Sequence, residues 1–188
     1  MSAIETMPWI VLDYKQSGDF TDIPFSHDLK LGQLPKEPGV YVVEPGYTDD
    51  EKVDKYLFDI LRRGNIGVLF DEGASVPQRE PRFLGLKTML SQGRGKRVPV
   101  IFGSQRPRHI NKSLLSEGDY FARFHLSYDG DCKAINEFMP TGADVELDDF
   151  HCCWYDVGKD RLFIMSPVDD DLTLDRFEER LKPRRRML

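Results

Sequence analysis

The chain has 188 residues, 40% of them hydrophobic and 31% charged, which suits one soluble domain with a sizeable core. Its formal net charge of -6 excludes nucleic-acid binding by bulk electrostatics, so any DNA contact must come from local basic patches. No apolar run reaches the ~18 residues of a membrane-spanning helix, and Met1 to Thr6 lacks the basic and apolar regions of a secretory signal.

The first element is Trp9-Ile10-Val11-Leu12, a short apolar run closed by Asp13 that reads as a buried strand. Val40 to Val43 is a second such run, bracketed by Pro38-Gly39 and Pro45-Gly46. Asp49 to Arg63 then carries Val53, Leu57, Ile60 and Leu61 at helical spacing, behind the start signal Thr48-Asp49-Asp50-Glu51. Ile66 to Phe70 and Val98 to Phe102 are further apolar strands, with a short helical pattern from Phe83 to Ser91 between them. Tyr120 to Leu126 follows as a strand, and Cys152 to Val157 pairs with Arg161 to Met165 as a hairpin around Gly158-Lys159-Asp160. Leu172 to Leu181 has the pattern of a terminal helix, with Asp169 to Asp171 near its start. Near-continuously apolar strands alternating with helices predict a single α/β domain over residues 1–188. Its sheet is mostly parallel and covered on both faces, with an antiparallel hairpin near the C-terminus.

The cysteine count of 3 is odd, and Cys152 and Cys153 are adjacent, which suits reduced thiols in a cytoplasm-like compartment. With His125 or His151 they offer no CxxC or HxxxH zinc spacing, so Cys132, Cys152 and Cys153 read as small hydrophobes.

Ile66 to Glu72 carries the most chemistry. A buried strand there delivers two carboxylates, Asp71 and Glu72, to the C-terminal edge of the sheet, where open α/β sheets bind ligands. In a nucleotide hydrolase the first carboxylate holds Mg²⁺ and the second orients or deprotonates the attacking water. The plain alternative is a strand whose terminal acids face solvent. Downstream stand Ser91-Gln92-Gly93-Arg94-Gly95-Lys96-Arg97, read as a Gly-Arg turn, then an apolar strand and Gly103-Ser104-Gln105-Arg106-Pro107.

Basic charge gathers at Arg94, Lys96, Arg97, Arg106, Arg108, His109 and Lys112, either as a phosphate-facing edge or as a solvated loop surface. Residues 182–188 form a basic tail through Lys182-Pro183-Arg184-Arg185-Arg186. The acidic runs Asp144 to Asp149 and Asp169 to Asp171 lack calcium-loop spacing and read as solvent-facing. Phe121, Phe124 and Tyr128 allow base stacking, but their place on an apolar strand favours the core.

Taken in order, these segments resemble the FtsK/HerA branch of P-loop ATPases, which includes chromosome translocases, conjugation coupling proteins and packaging ATPases of membrane-containing viruses. The resemblance runs from Trp9 to Ile135. It includes Trp9 to Asp13 with Tyr14-Lys15, similar to the family's hydrophobic-Asp-x-Lys segment, and a short helix at Ile110 to Leu115 before the strand at Tyr120. The resemblance implies a RecA-like fold in which Asp71 is the Mg²⁺-associated acid and Glu72 the catalytic base. It makes Gln105 the sensor between the γ-phosphate and the DNA-facing side, and Arg94 or Arg97 an arginine finger acting on a neighbouring subunit. Lys15 and Asp71 fall on the nucleotide side, and Arg106, Arg108 and Lys112 on the DNA side. ATP, Mg²⁺, double-stranded DNA bound without sequence preference, and a homo-oligomeric ring, commonly a hexamer, complete that expectation. So does a location in a host cytoplasm or a virion.

The chain departs from the family at one point: no GxxxxGK(S/T) occurs in it. Gly93-Arg94-Gly95-Lys96 has the wrong spacing and no following Ser or Thr. Two readings stay open, a fragment or internal start lacking the P-loop strand and helix, or a divergent non-catalytic structural or adaptor protein that keeps the fold. A third is a metal-dependent nuclease using Asp13, Asp71 and Glu72.

Overall fold

Four of the apolar runs, with one short polar strand beside them, form a parallel sheet in the computed structural model, which describes residues 7–16, 18–20, 23, 26–46, 48–76 and 84–169. The strands are β1 (Pro8–Leu12), β2 (Ser26–Asp28), β3 (Gly39–Val43), β4 (Gly67–Phe70) and β5 (Val100–Phe102), in the order β2-β3-β1-β4-β5. Every pairing among them is parallel. The strand that opens the pattern is therefore central, hydrogen-bonded to β3 on one side and β4 on the other.

Register places Ile10, Leu12, Val43, Val68 and Phe70 on one face. There they pack with Val53, Tyr56, Leu57 and Ile60 of α1 (Asp50–Arg63) and with Leu86 and Met89 of α2 (Gly85–Lys96). The opposite face carries Val11 and Val42, both buried, but at its margin Ile101 of β5 is 51% exposed. Among the described residues β5 is an edge strand.

α1 forms where its spacing predicts. Acidic Asp50 and Glu51 begin it and Arg62 and Arg63 end it, matching the helix dipole. It stops at Gly64, whose φ of 66° is left-handed and whose N–H returns to the Ile60 carbonyl. α2 corrects an expectation: it does not stop at Ser91 but runs on through Gly93 and Gly95 to Lys96. The turn comes at Arg97, left-handed with φ 55°. The cause is packing, since Gly93 lies on the buried face with Met89, and a Cβ there would meet the Val98 carbonyl oxygen at 3.0 Å. At the other end of α2, a Cβ on Gly85 would lie 2.6 Å from the Asp54 carbonyl oxygen of α1. Gly85→Ala is expected to force the helices apart and cost about 1–3 kcal/mol. A lower urea midpoint at unchanged m-value checks this.

The C-terminal expectation is enlarged. The hairpin is present as β7 (Cys152–Asp156) and β8 (Arg161–Met165), but β6 (Tyr120–Arg123) joins it to make a separate antiparallel sheet, β6-β7-β8. Cys153 is fully buried there against Ile135, Met139, Ala143 and Leu147. The Arg123 guanidinium donates to the Ala143 and Val145 carbonyls and so fastens the acidic segment to β6. Asp144, Glu146, Asp148 and Asp149 face solvent as expected. Of the three aromatics assigned to the core, only Phe121 is packed, stacked on Phe138. Phe124 lies beyond the strand end and Tyr128 lies beneath the Arg108 guanidinium, and both are about half exposed.

Two shorter helices follow β5, namely α3 (Lys112–Leu115) and α4 (Asp129–Asn136). β2 has no apolar run and α4 is only eight residues long and mostly polar, which is why the sequence pattern passes over them. Among the described residues no helix is long and apolar enough to cross a membrane. The terminal helix expected at Leu172 to Leu181 and the basic tail lie outside the described residues.

Candidate functional site

Three parallel strands end side by side, β1 at Asp13, β4 at Asp71-Glu72 and β5 at Gly103-Ser104-Gln105. Backbone bonds continue the ladder past the strand ends: Asp71 N–H donates to Leu12 O at 3.2 Å, Gly103 N–H to Phe70 O at 2.9 Å and Gly73 N–H to Gly103 O at 2.7 Å. The approach depends on glycine, because a Cβ on Gly73 would sit 1.9 Å from the Phe102 ring.

Asp13 is fully buried and shapes the turn after β1. Its Oδ1 accepts from the N–H groups of Lys15 and Gln16, both at 3.0 Å. That turn brings the Lys15 ammonium to 3.3 Å from Asp71 Oδ2. Glu72 is held differently: its Oε1 accepts from Ser104 Oγ at 2.8 Å and from Ala74 N–H at 3.2 Å. The second bond caps the single 3₁₀ turn Gly73–Ser75. Asp13 and Asp71 thus engage Lys15 through its N–H and its ammonium, Glu72 engages Ser104 and Ala74, and no three metal-ligating side chains converge among the described residues.

Gln105 is exposed at the same edge, one residue beyond Ser104. The basic residues that follow turn toward α4. Arg106 Nη1 bonds Asp131 Oδ2 at 3.2 Å, Arg108 N–H bonds Asp131 Oδ1 at 3.3 Å, and Lys112 Nζ reaches Glu137 Oε2 at 2.5 Å. Arg94 and Arg97 lie elsewhere. They stand at the far end of α2, which spans roughly 18 Å back toward the N-terminal edge of the sheet. Arg94 pairs there with Asp119 at 2.5 Å. Within the chain they are not beside Asp71 and Glu72.

Two residues of this arrangement escape a sequence reading. Ser104 stands in the Ser-Gln-Arg-Pro segment, but nothing in its spacing marks it as the partner of Glu72. Asp131 has no signal at all, being one acid in a polar Asp-Gly-Asp stretch.

No protein-family model matches the chain. The chain is 36% identical over 182 residues to the DNA packaging ATPase P9 of Enterobacteria phage PRD1, covering 90% of this chain and 79% of that protein. The chain belongs to the viral DNA-packaging ATPases of FtsK/HerA type. Solved structures agree on the fold. The genome packaging NTPase B204 of Sulfolobus turreted icosahedral virus 2, in complex with AMPPCP, superposes with a TM-score of 0.70 at 17% identity, covering 88% of this chain and 85% of that one. The DNA-packaging ATPase B204 of Sulfolobus turreted icosahedral virus gives a TM-score of 0.57 at 15% identity, covering 88% and 98%. The resemblance read from Trp9 to Ile135 is thereby borne out as family membership, and the mostly parallel α/β architecture as the family's fold.

Proposed function

We propose that this chain is the ATPase of a viral genome-packaging machine, binding a nucleoside triphosphate at the C-terminal edge of its parallel sheet and coupling hydrolysis to movement of DNA. The observation that carries the reading is the placement of Asp71 and Glu72 at the end of β4, beside the Ser104-Gln105 edge of β5. The names of the packaging relatives support the same reading.

Asp71 would hold Mg²⁺. That ion takes one or two carboxylates and completes its shell with water and phosphate oxygens, so a single aspartate suits it. Asp71 already holds a cation, the Lys15 ammonium, so the position favours positive charge. When bound, the ion supplies charge that neutralises phosphate oxygens during transfer. Glu72 is the base. Among the described residues its hydrogen bonds, from Ser104 and Ala74, fall on Oε1, and Oε2 is the oxygen assigned to the attacking water. Gln105 reads the γ-phosphate from the neighbouring strand, and Lys15 takes part on the nucleotide side. Arg94 and Arg97, at the opposite edge from their own carboxylates, serve the nucleotide of a neighbouring copy in a homo-oligomeric ring. Such a ring works on double-stranded DNA without sequence preference, in a host cytoplasm or a virion.

Among the described residues the far edge of β5 is unpaired, and one further strand and loop paired there would carry the phosphate cradle. A strand parallel to β5 would end at the same edge and deliver its following loop beside Ser104 and Gln105, and it would cover Ile101. Arg106, Arg108 and Lys112 remain substantially exposed despite their ion pairs and form the DNA-facing group. Arg106→Ala or Arg108→Ala is expected to weaken DNA binding and lower the salt slope by about 0.9 for each phosphate the variant no longer neutralises. Asp71→Asn is expected to remove the Mg²⁺ dependence of nucleotide binding, read by titrating ATP with and without the ion.

The deciding experiment is ATP titration and phosphate release with the purified chain, as monomer and as oligomer. Binding by neither would sink the ATPase reading. A structural or adaptor role, favoured by the lack of GxxxxGK(S/T), would then take its place.

A further inference from the structure

A buried carboxylate is costly unless it is paired and hydrogen-bonded. Asp131 of α4 is such a group, with its side chain 1% exposed. Both oxygens are engaged: Oδ2 receives Arg106 Nη1, and Oδ1 receives the Arg108 backbone N–H, with Arg108 Nε at 3.9 Å. One carboxylate therefore holds the segment on both sides of buried Pro107, whose ring fixes the backbone between the two arginines.

The hold continues to Glu72. Arg106 N–H donates to Ser104 Oγ at 3.1 Å, and Ser104 Oγ–H donates to Glu72 Oε1 at 2.8 Å. The polarity of this relay has one consistent direction. The Arg106 amide can only donate and the ionised Glu72 can only accept, so the serine hydroxyl has to accept from one and donate to the other. The Arg106 N–H helps fix where the serine oxygen sits, and the hydroxyl proton is given to Glu72.

We propose that Asp131 is a positioning residue that sets Glu72 through Arg106 and Ser104, linking α4 to the end of β4. The link gives α4 control over the orientation of Glu72. Ile135 of that helix packs in the core of the antiparallel sheet with Cys153 and Phe121, so a shift of that sheet reaches Glu72 by way of Asp131. The effect on hydrolysis rests on Glu72 being the base; the mechanical link does not.

The test uses the full chain carrying Asp131→Asn. Asparagine keeps the shape of the side chain, and Arg106 is exposed enough to turn into water, so the fold is retained. Amide hydrogen exchange of the nucleotide-free protein should accelerate about tenfold at Ala74 and Arg106, with β6 to β8 unchanged. Ser104→Ala, which removes the acceptor of the Arg106 N–H as well as the partner of Glu72, should accelerate both Ala74 and Arg106, and the double variant should add nothing further at Ala74. Arg106→Gln, on an exposed side chain, should reproduce the Asp131→Asn pattern. Acceleration confined to residues 128–137, or spread evenly across both sheets, would overturn the proposal. In ATP hydrolysis the Asp131→Asn variant should lose kcat about tenfold at unchanged KM. An unchanged kcat in an active wild type also overturns it. Should the wild type hydrolyse no ATP, the functional reading fails and the exchange data alone decide the link.

Discussion

Replacing Glu72 with glutamine is expected to abolish ATP hydrolysis while leaving nucleotide binding and stability close to wild type. Glutamine keeps the carbonyl that accepts from Ser104 Oγ and Ala74 N–H, so the 3₁₀ turn and the β4–β5 edge stay in place. What disappears is the negative charge and the basic oxygen. A positioned general base contributes roughly 10²- to 10⁴-fold, and the rate should fall by that much. Single-turnover phosphate release, run beside an ATP titration, checks it. A rate within a few-fold of wild type would place the base elsewhere and leave Glu72 as the cap of its own turn.

The largest stability effect is expected at Phe70. It is fully buried, the last residue of β4, and its ring lies 5.4 Å from that of Phe102 on the neighbouring strand. Phe70→Ala removes a ring from the cluster that joins the sheet to α1 and α2, and it leaves a cavity that those elements cannot close. The expected cost is about 3–5 kcal/mol, a large part of a typical domain's ~5–15 kcal/mol. Urea unfolding should show the midpoint falling without a change of slope. Because Asp71 follows directly in the chain, nucleotide binding should weaken even where the variant remains folded. A cost under about 1 kcal/mol would mean that this end of β4 is not the packed centre of the sheet.

Much of this was legible in the chain. Apart from β6, the strands of the apolar pattern appear within a residue or two of their predicted ends, because a buried parallel strand needs a nearly unbroken apolar run between turn residues. α1 was equally plain, since one face of that helix carries all its buried residues. The carboxylates Asp71 and Glu72 could be placed at the sheet edge for the same reason. Length and register were harder. α2 runs on through two glycines because the helix packs against Val98, and no local propensity announces that contact.

What the amino-acid order determined by itself was therefore the alternation of strand and helix, the position of β4, and the two acids that end it. All of these follow from local periodicity. Only the tertiary structure decided that β1 lies between β3 and β4, that β5 is the edge strand among the described residues, and that Arg94 and Arg97 stand away from their own carboxylates. It also turned Asp13 inward to shape a turn, gave Glu72 a partner in Ser104, and buried Asp131 beneath Arg106 and Arg108. Each of these depends on which strand ends and loops become neighbours across the sheet, over separations where the chain has no repeating pattern to read.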